Sequence, residues 1–247
     1  MKKNLIYGIH AIMEALEADK EIDRVLFRRG TDLKSFQVLK EALRQKLIPY
    51  QIVPDAKLDM ICPSRTHQGV IAFVSAVVYQ PIDEIIQRTF EIGETPLLVL
   101  LDGVTDVRNM GAIARSAECL GAHAMILPMQ GSARVDADAV KTSAGALNHL
   151  PVCRSPNIYD TIYYLQSCGI TILVATDKTD MPYYEADFTG PICLILGSEG
   201  EGVSRKILAE ADIKASIPMV GKIESLNVSV AAGIFLSEIA RQRKVLS

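Results

Sequence analysis

The sequence predicts an α/β protein with two parts: a small amino-terminal α/β unit, then a larger, mostly parallel sheet covered by helices. Three observations lead there. Apolar runs such as LLVLL (97–101), ITILVAT (170–176) and ICLILG (192–197) read as strands buried on both faces. Segments of helical periodicity alternate with them, the order that produces parallel sheets. Finally, three polar loops each follow an apolar run and precede a helical pattern: DGVTDVRNMGAIARSAE (102–118), LILGSEGEGVS (194–204) and IPMVGKIESLNVSVAAGI (217–234). In open α/β sheets, ligands bind beyond the carboxyl ends of the strands.

Taken in order, GIHAIMEALEA (8–18) has helical spacing and IDRVLFRR (22–29) alternates as a strand. LKSFQVLKEALRQK (33–46) is amphipathic, with Leu33, Phe36, Leu39, Leu43 and Leu47 on one stripe. IPYQIV (48–53) and GVIAFVSAVVY (69–79) read as strands, with one more helix between them. Residues 1–78 thus form a unit near the lower size limit for an independent core. The charged, Pro-bounded stretch 79–95 reads as a linker carrying at most one short helix, in DEIIQR. The second domain, 96–247, starts with the strand 97–101. Helices are expected at 110–122, 136–147, 157–169, 203–211 and 226–244, and strands at 123–128, 170–176, 192–197 and 212–218.

Composition is that of an ordinary globular chain, 49% apolar and 22% charged. No apolar stretch is long enough to span a bilayer. The start, broken by Glu14 and Glu17, is not a signal peptide. Five cysteines without a CxxC pair point to reduced thiols in a cytosolic protein with no zinc module. The net charge of −3 hides a split: 12 Lys and Arg against 9 Asp and Glu in residues 1–80, 14 against 20 thereafter. The basic excess, in DRVLFRRG and around Lys34, Lys40, Arg44 and Lys46, suits either a solvated face or local phosphate contacts.

Several chemistries are excluded. No G-x-G-x-x-G follows a first strand, so the dinucleotide fingerprint is missing. The acidic residues in Gly197-Ser198-Glu199-Gly200-Glu201-Gly202 would repel a pyrophosphate and favour an uncharged or cationic ligand. No histidine has ligand spacing to Cys, Asp or Glu, so no metal is expected, and no G-x-S-x-G supports an acyl-transfer hydrolase. In the first loop Asn109 is placed to cap a helix whose apolar stripe is Met110, Ile113, Ala117 and Leu120. Arg115 lies roughly 160–200° from that stripe. It can pair with Glu118 at i,i+3 or reach a phosphate. Ser225 is a candidate cap for the last helix, with Asn227 bonding nearby backbone. The small residues Ser229, Ala231, Ala232 and Gly233 allow close helix approach, within the chain or across a dimer.

The three loops, in this order and separation, resemble the three signature motifs of the SpoU (TrmH-like) RNA ribose 2′-O-methyltransferases. GIHAIMEAL (8–16) and HQGVIAF (67–73) are similar to the ends of that family's amino-terminal RNA substrate domain. The two-part form most resembles the bacterial 23S rRNA guanosine-2′-O-methyltransferase branch. Val107 stands where the family usually has Pro, which alters turn stiffness rather than chemistry.

The resemblance implies an L30-like first domain and a carboxyl-terminal SPOUT-type trefoil knot. It also implies a cytoplasmic homodimer, S-adenosyl-L-methionine as methyl donor, and RNA, in the first place rRNA, as partner. The cofactor would be held around Leu196, Gly197, Ile217, Met219, Ser225 and Leu226. The family's functional polar residues fall on Asn109, Arg115, Glu199, Ser225 and Asn227. Alternatives within reach are a tRNA ribose 2′-O-methyltransferase and a non-catalytic RNA-binding or ribosome-assembly protein.

Overall fold

The structure is a computed structural model that describes residues 5–30, 34–63 and 66–243. Its chain divides into two compact units, residues 1–78 with 134–137, and residues 79–133 with 138–247. Among the described residues, no helix is long and apolar enough to cross a membrane.

The first unit is a four-stranded sheet in the order β1 (Leu5–Tyr7), β4 (Val70–Val74), β2 (Ile22–Arg28), β3 (Tyr50–Val53). β4 runs antiparallel to β1 and β2, and β2 parallel to β3. Strand alternation builds two cores. Val25, Phe27, Val70 and Ala72 pack with α1 (Ile9–Glu17) and α2 (Lys34–Gln45). Leu26, Ile71 and Phe73 pack with α3 (Asp55–Ile61) through Leu58. Phe36, Leu39 and Leu43 of the predicted α2 stripe are buried, while Leu33 lies outside the described residues. Leu47 departs from that stripe: it is 56% exposed with φ 54°, because α2 has already ended and the chain reverses there. The three-residue edge strand β1 carries no alternation a sequence reading could detect.

The second unit is a six-stranded, wholly parallel sheet, in the order β10 (Ile213–Ala215), β8 (Thr171–Ala175), β9 (Ile192–Gly197), β5 (Leu97–Asp102), β6 (Ala124–Pro128), β7 (Val152–Ser155). One face, including Leu98, Leu100, Ile172, Val174, Cys193 and Ile195, packs with α4 (Ile82–Glu91), α7 (Ile158–Ser167) and α8 (Arg205–Glu210). Residues of opposite parity, Leu97, Val99, Leu101, Leu194 and Leu196, are equally buried. On β9 lies α9 (Val228–Gln242), packed along α5 (Val107–Cys119).

The stretch 79–95, read from sequence as a linker, is corrected by the fold. α4 buries Ile85 and Ile86 in the core of the second unit, so its charges mark only the solvent face of a packed helix. The helix expected at 136–147 is also shorter. α6 (Ala137–Thr142) stops where Ala144 and Gly145 take φ of 51° and 89°, and a 3₁₀ turn, Ala146–Asn148, follows. The edge strand β7 is a short segment containing a half-buried arginine, with no apolar run to reveal it.

The far end of α9 is anchored by Arg243. Its guanidinium donates to the carbonyls of Thr95, Pro96, Phe188 and Gly190, and burial lowers its pKa to about 10. Cys62, Cys153 and Cys193 are core residues, and desolvation pushes the Cys153 thiol up to about 12.

Candidate functional site

The strand order reverses between β9 and β5, whose last residues, Gly197 and Asp102, lie side by side. Such a switch point opens a crevice at the carboxyl edge of the sheet. The three polar loops meet there. Asp102 accepts a hydrogen bond from the Ser204 amide at 2.8 Å, which ties the exit of β5 to the entry of α8.

α5 begins earlier than its apolar stripe suggests. Asp106, not Asn109, is the N-cap: its carboxylate accepts from the amides of Arg108 and Asn109 at 2.6 and 3.2 Å. Asn109 therefore sits within the first turn and its side chain is free to act elsewhere. Its Nδ2 donates to Glu199 Oε1 at 2.9 Å.

Glu199 is carried by a tight loop. Ser198 and Gly202 exchange backbone hydrogen bonds of 3.2 and 3.0 Å, and Gly200 and Gly202 take left-handed φ of 98° and 72°. Gly197 has a different reason to be glycine: a Cβ there would overlap the backbone of Gly202 and Val203. Gly197→Ala is expected to cost about 1–3 kcal/mol of stability, measured by urea denaturation, because backbone cannot retreat as a side chain can.

The third loop ends at Asn227, which caps α9 in place of Ser225. Its Oδ1 accepts from the Ser229 amide and hydroxyl, and this sets the direction of its NH2 group. That Nδ2 donates to Glu199 Oε1 at 2.6 Å and to Asn109 Oδ1 at 3.0 Å. Asn109, Glu199 and Asn227 thus form a closed polar triangle from three loops. Each amide is aimed by its partners, and one carboxylate oxygen receives both donors.

Beside the triangle lies a cavity of about 550 Å³, within the roughly 300–1,000 Å³ of small-molecule sites. All six residues expected around the cofactor line it: Leu196, Gly197, Ile217, Met219, Ser225 and Leu226. Glu199 and Asn227 also line it, while Asn109 is hydrogen-bonded to both without lining it, and Arg115 does not line it. Arg115 is exposed on α5, about 9 Å along the axis from Asn109 and about 120° around it by helix geometry. Among the described residues it makes no hydrogen bond or ion pair, so the pairing with Glu118 is not formed.

Sequence reasoning missed one wall. Thr176, Asp177 and Lys178, just after β8, line the cavity, as does Phe235 of α9. The signal was available, since ATDKT follows an apolar run as the other loops do. Among the described residues, the lining mixes apolar side chains with four carboxylates (Asp177, Glu199, Glu201, Glu224) and a single lysine, Lys178. Such a cavity favours a partly apolar ligand with positive charge. Among the described residues no cluster of His, Cys, Asp or Glu is placed to hold a metal ion.

Known proteins give this site a context. The pattern of the SpoU rRNA Methylase family matches residues 96–237, and that of RNA 2′-O ribose methyltransferase substrate binding matches residues 5–80. The chain is 38% identical over 241 residues to the 23S rRNA (guanosine-2′-O-)-methyltransferase RlmB of Yersinia pestis, covering 97% of each chain. It is similar to the crystal structure of the SpoU methyltransferase AviRb from Streptomyces viridochromogenes in complex with AdoMet, with TM-score 0.61 and 30% identity over 98% of this chain and 90% of that one. Its likeness to the TrmH/SpoU tRNA modifying enzyme of A. aeolicus, TM-score 0.56 at 29% identity, covers 66% of this chain and 84% of that one. With all three motif loops inside the matched segment and the relative aligned end to end, this chain belongs to the SpoU rRNA methylase family.

Proposed function

We propose that this chain is an S-adenosyl-L-methionine-dependent methyltransferase acting on a ribose 2′-hydroxyl of 23S rRNA, at a guanosine. The observation that carries this reading is the convergence of three motif loops on one acidic, partly apolar cavity. The donor set fits the cofactor: apolar walls for an adenine, carboxylates near a cationic sulfonium, and the tight backbone at Gly197 on the wall. When bound, the cofactor supplies an electrophilic methyl group.

The chain's own residues do the rest. A ribose hydroxyl must pass its proton to solvent water as it attacks, because a guanidinium cannot serve as the base near neutral pH. Arg115 instead clamps the adjoining phosphate and stabilises the charge developing on the 2′-oxygen. The Asn109–Glu199–Asn227 triangle orients the nucleotide at the cavity mouth, with Ser225 beside it. Alignment of the reacting atoms supplies much of the rate gain.

The first unit supplies RNA docking through phosphates and shape. The matched substrate-binding segment supports rRNA over tRNA, because the likeness to the tRNA-modifying enzyme leaves about a third of this chain uncovered. The same reading includes the knotted threading that the resemblance implies, a cytoplasmic setting and a homodimer. Exposed apolar side chains on the third loop and α9, namely Val220, Ile223, Leu226 and Val230, support an interface there.

Because α4 belongs to the second core, a fragment starting at Pro96 would lose Ile85 and Ile86 from that core. A fragment of residues 79–247 is the better test. It is expected to sediment as a dimer, retain cofactor binding by calorimetry and lose RNA selectivity. Unchanged selectivity would reject the docking role of the first unit. The function itself is tested by mapping ribose methylation on rRNA and tRNA from cells with and without this protein. Loss of one 2′-O-methylguanosine in 23S rRNA is expected, and loss confined to tRNA, or no loss, would reject the assignment.

A further inference from the structure

We propose that Lys178 recognises the α-carboxylate at the amino-acid end of the cofactor, and this rests on the S-adenosylmethionine reading above. The loop after β8 holds this lysine at the cavity wall through a chain of fixed contacts. Thr176 donates its amide to Ala215 of β10 at 3.0 Å, and its Oγ1 accepts from the Lys178 amide at 3.1 Å. Thr179 Oγ1 in turn accepts from Met181 and donates to the Lys214 carbonyl at 3.4 Å. The backbone at Lys178 is thus stitched on both sides, while its side chain makes no ion pair or hydrogen bond among the described residues.

Charge decides what this ammonium does. Among the described residues, Lys178 is the only basic side chain lining the cavity, against Asp177, Glu199, Glu201 and Glu224. Those carboxylates suit the sulfonium and the α-ammonium of the ligand but repel its carboxylate. An ammonium carried on that fixed backbone, with no partner among the described residues, offsets that repulsion. Without it the cavity would prefer a ligand that lacks the acid group.

The test is calorimetric titration of the full-length protein with S-adenosylmethionine and with its decarboxylated analogue, which keeps the sulfonium and the amine. Lys178→Gln is expected to weaken S-adenosylmethionine about three- to fivefold at low salt, the scale of an exposed ion pair. The decarboxylated analogue should bind the variant at least as tightly as it binds the natural protein, which also shows that the variant is folded. Lys178→Arg should restore affinity for S-adenosylmethionine, and raised salt should shrink the difference. Equal weakening of both ligands, unchanged S-adenosylmethionine affinity, or a loss confined to RNA binding would overturn the assignment. A natural protein that binds neither ligand would reject the methyl-donor reading itself, and this inference with it.

Discussion

Arg115→Ala is expected to lower kcat by about 10²–10³-fold, the usual cost of deleting a group that stabilises developing charge. S-adenosylmethionine affinity should stay unchanged. The two readouts separate because Arg115 does not line the cavity and lies on a different side of α5 from Asn109. Its exposure and its lack of partners among the described residues also mean that the substitution leaves no buried group unsatisfied, so the thermal midpoint should hold. Single-turnover methylation of an rRNA fragment, run beside cofactor calorimetry, is the measurement. Normal turnover by the variant would remove Arg115 from the chemistry. A parallel loss of cofactor binding would place its effect on folding or on the cavity instead.

Asn227→Asp is expected to cost about 10²-fold in methyl transfer, as a misplaced positioning group does, with little loss of stability. Asp and Asn are nearly equal N-caps, so the bonds from Ser229 to the side-chain oxygen survive and α9 keeps its start. What changes is the other end of the side chain. In place of an NH2 donating to Glu199 at 2.6 Å and to Asn109 at 3.0 Å, a carboxylate would confront a carboxylate. Like charges at that distance are strongly disfavoured, and the triangle should open. Adding Glu199→Gln gives a direct check, because it returns an amide–carboxylate pair with the polarity reversed. Partial recovery in the double variant is expected, whereas equal or greater loss would mean that Glu199 acts independently of the triangle.

Much of the architecture was legible from local patterns. β5, β8 and β9 are apolar runs buried on both faces, and the stripes of α2 and α5 declare themselves by spacing. Failures fell where local patterns are degenerate. β1 and β7 are short edge strands, and α4 looks like a linker because half its surface is charged. Two caps were misplaced because neighbouring polar residues compete for the same job: Asp106 with Asn109, and Asn227 with Ser225.

By itself, the sequence singled out the polar residues that each loop offers, since type and spacing within a few residues are local properties. Tertiary structure alone decided which of them meet. Asn109, Glu199 and Asn227 are separated by 90 and 28 residues along the chain, yet share one carboxylate oxygen. That meeting depends on β9 and β5 being neighbours in the sheet, and no local preference encodes strand order. The wall at Thr176–Lys178 followed from the same long-range pairing. Local propensity names the candidates, and burial of the two sheet faces selects the arrangement that brings their loops to one edge.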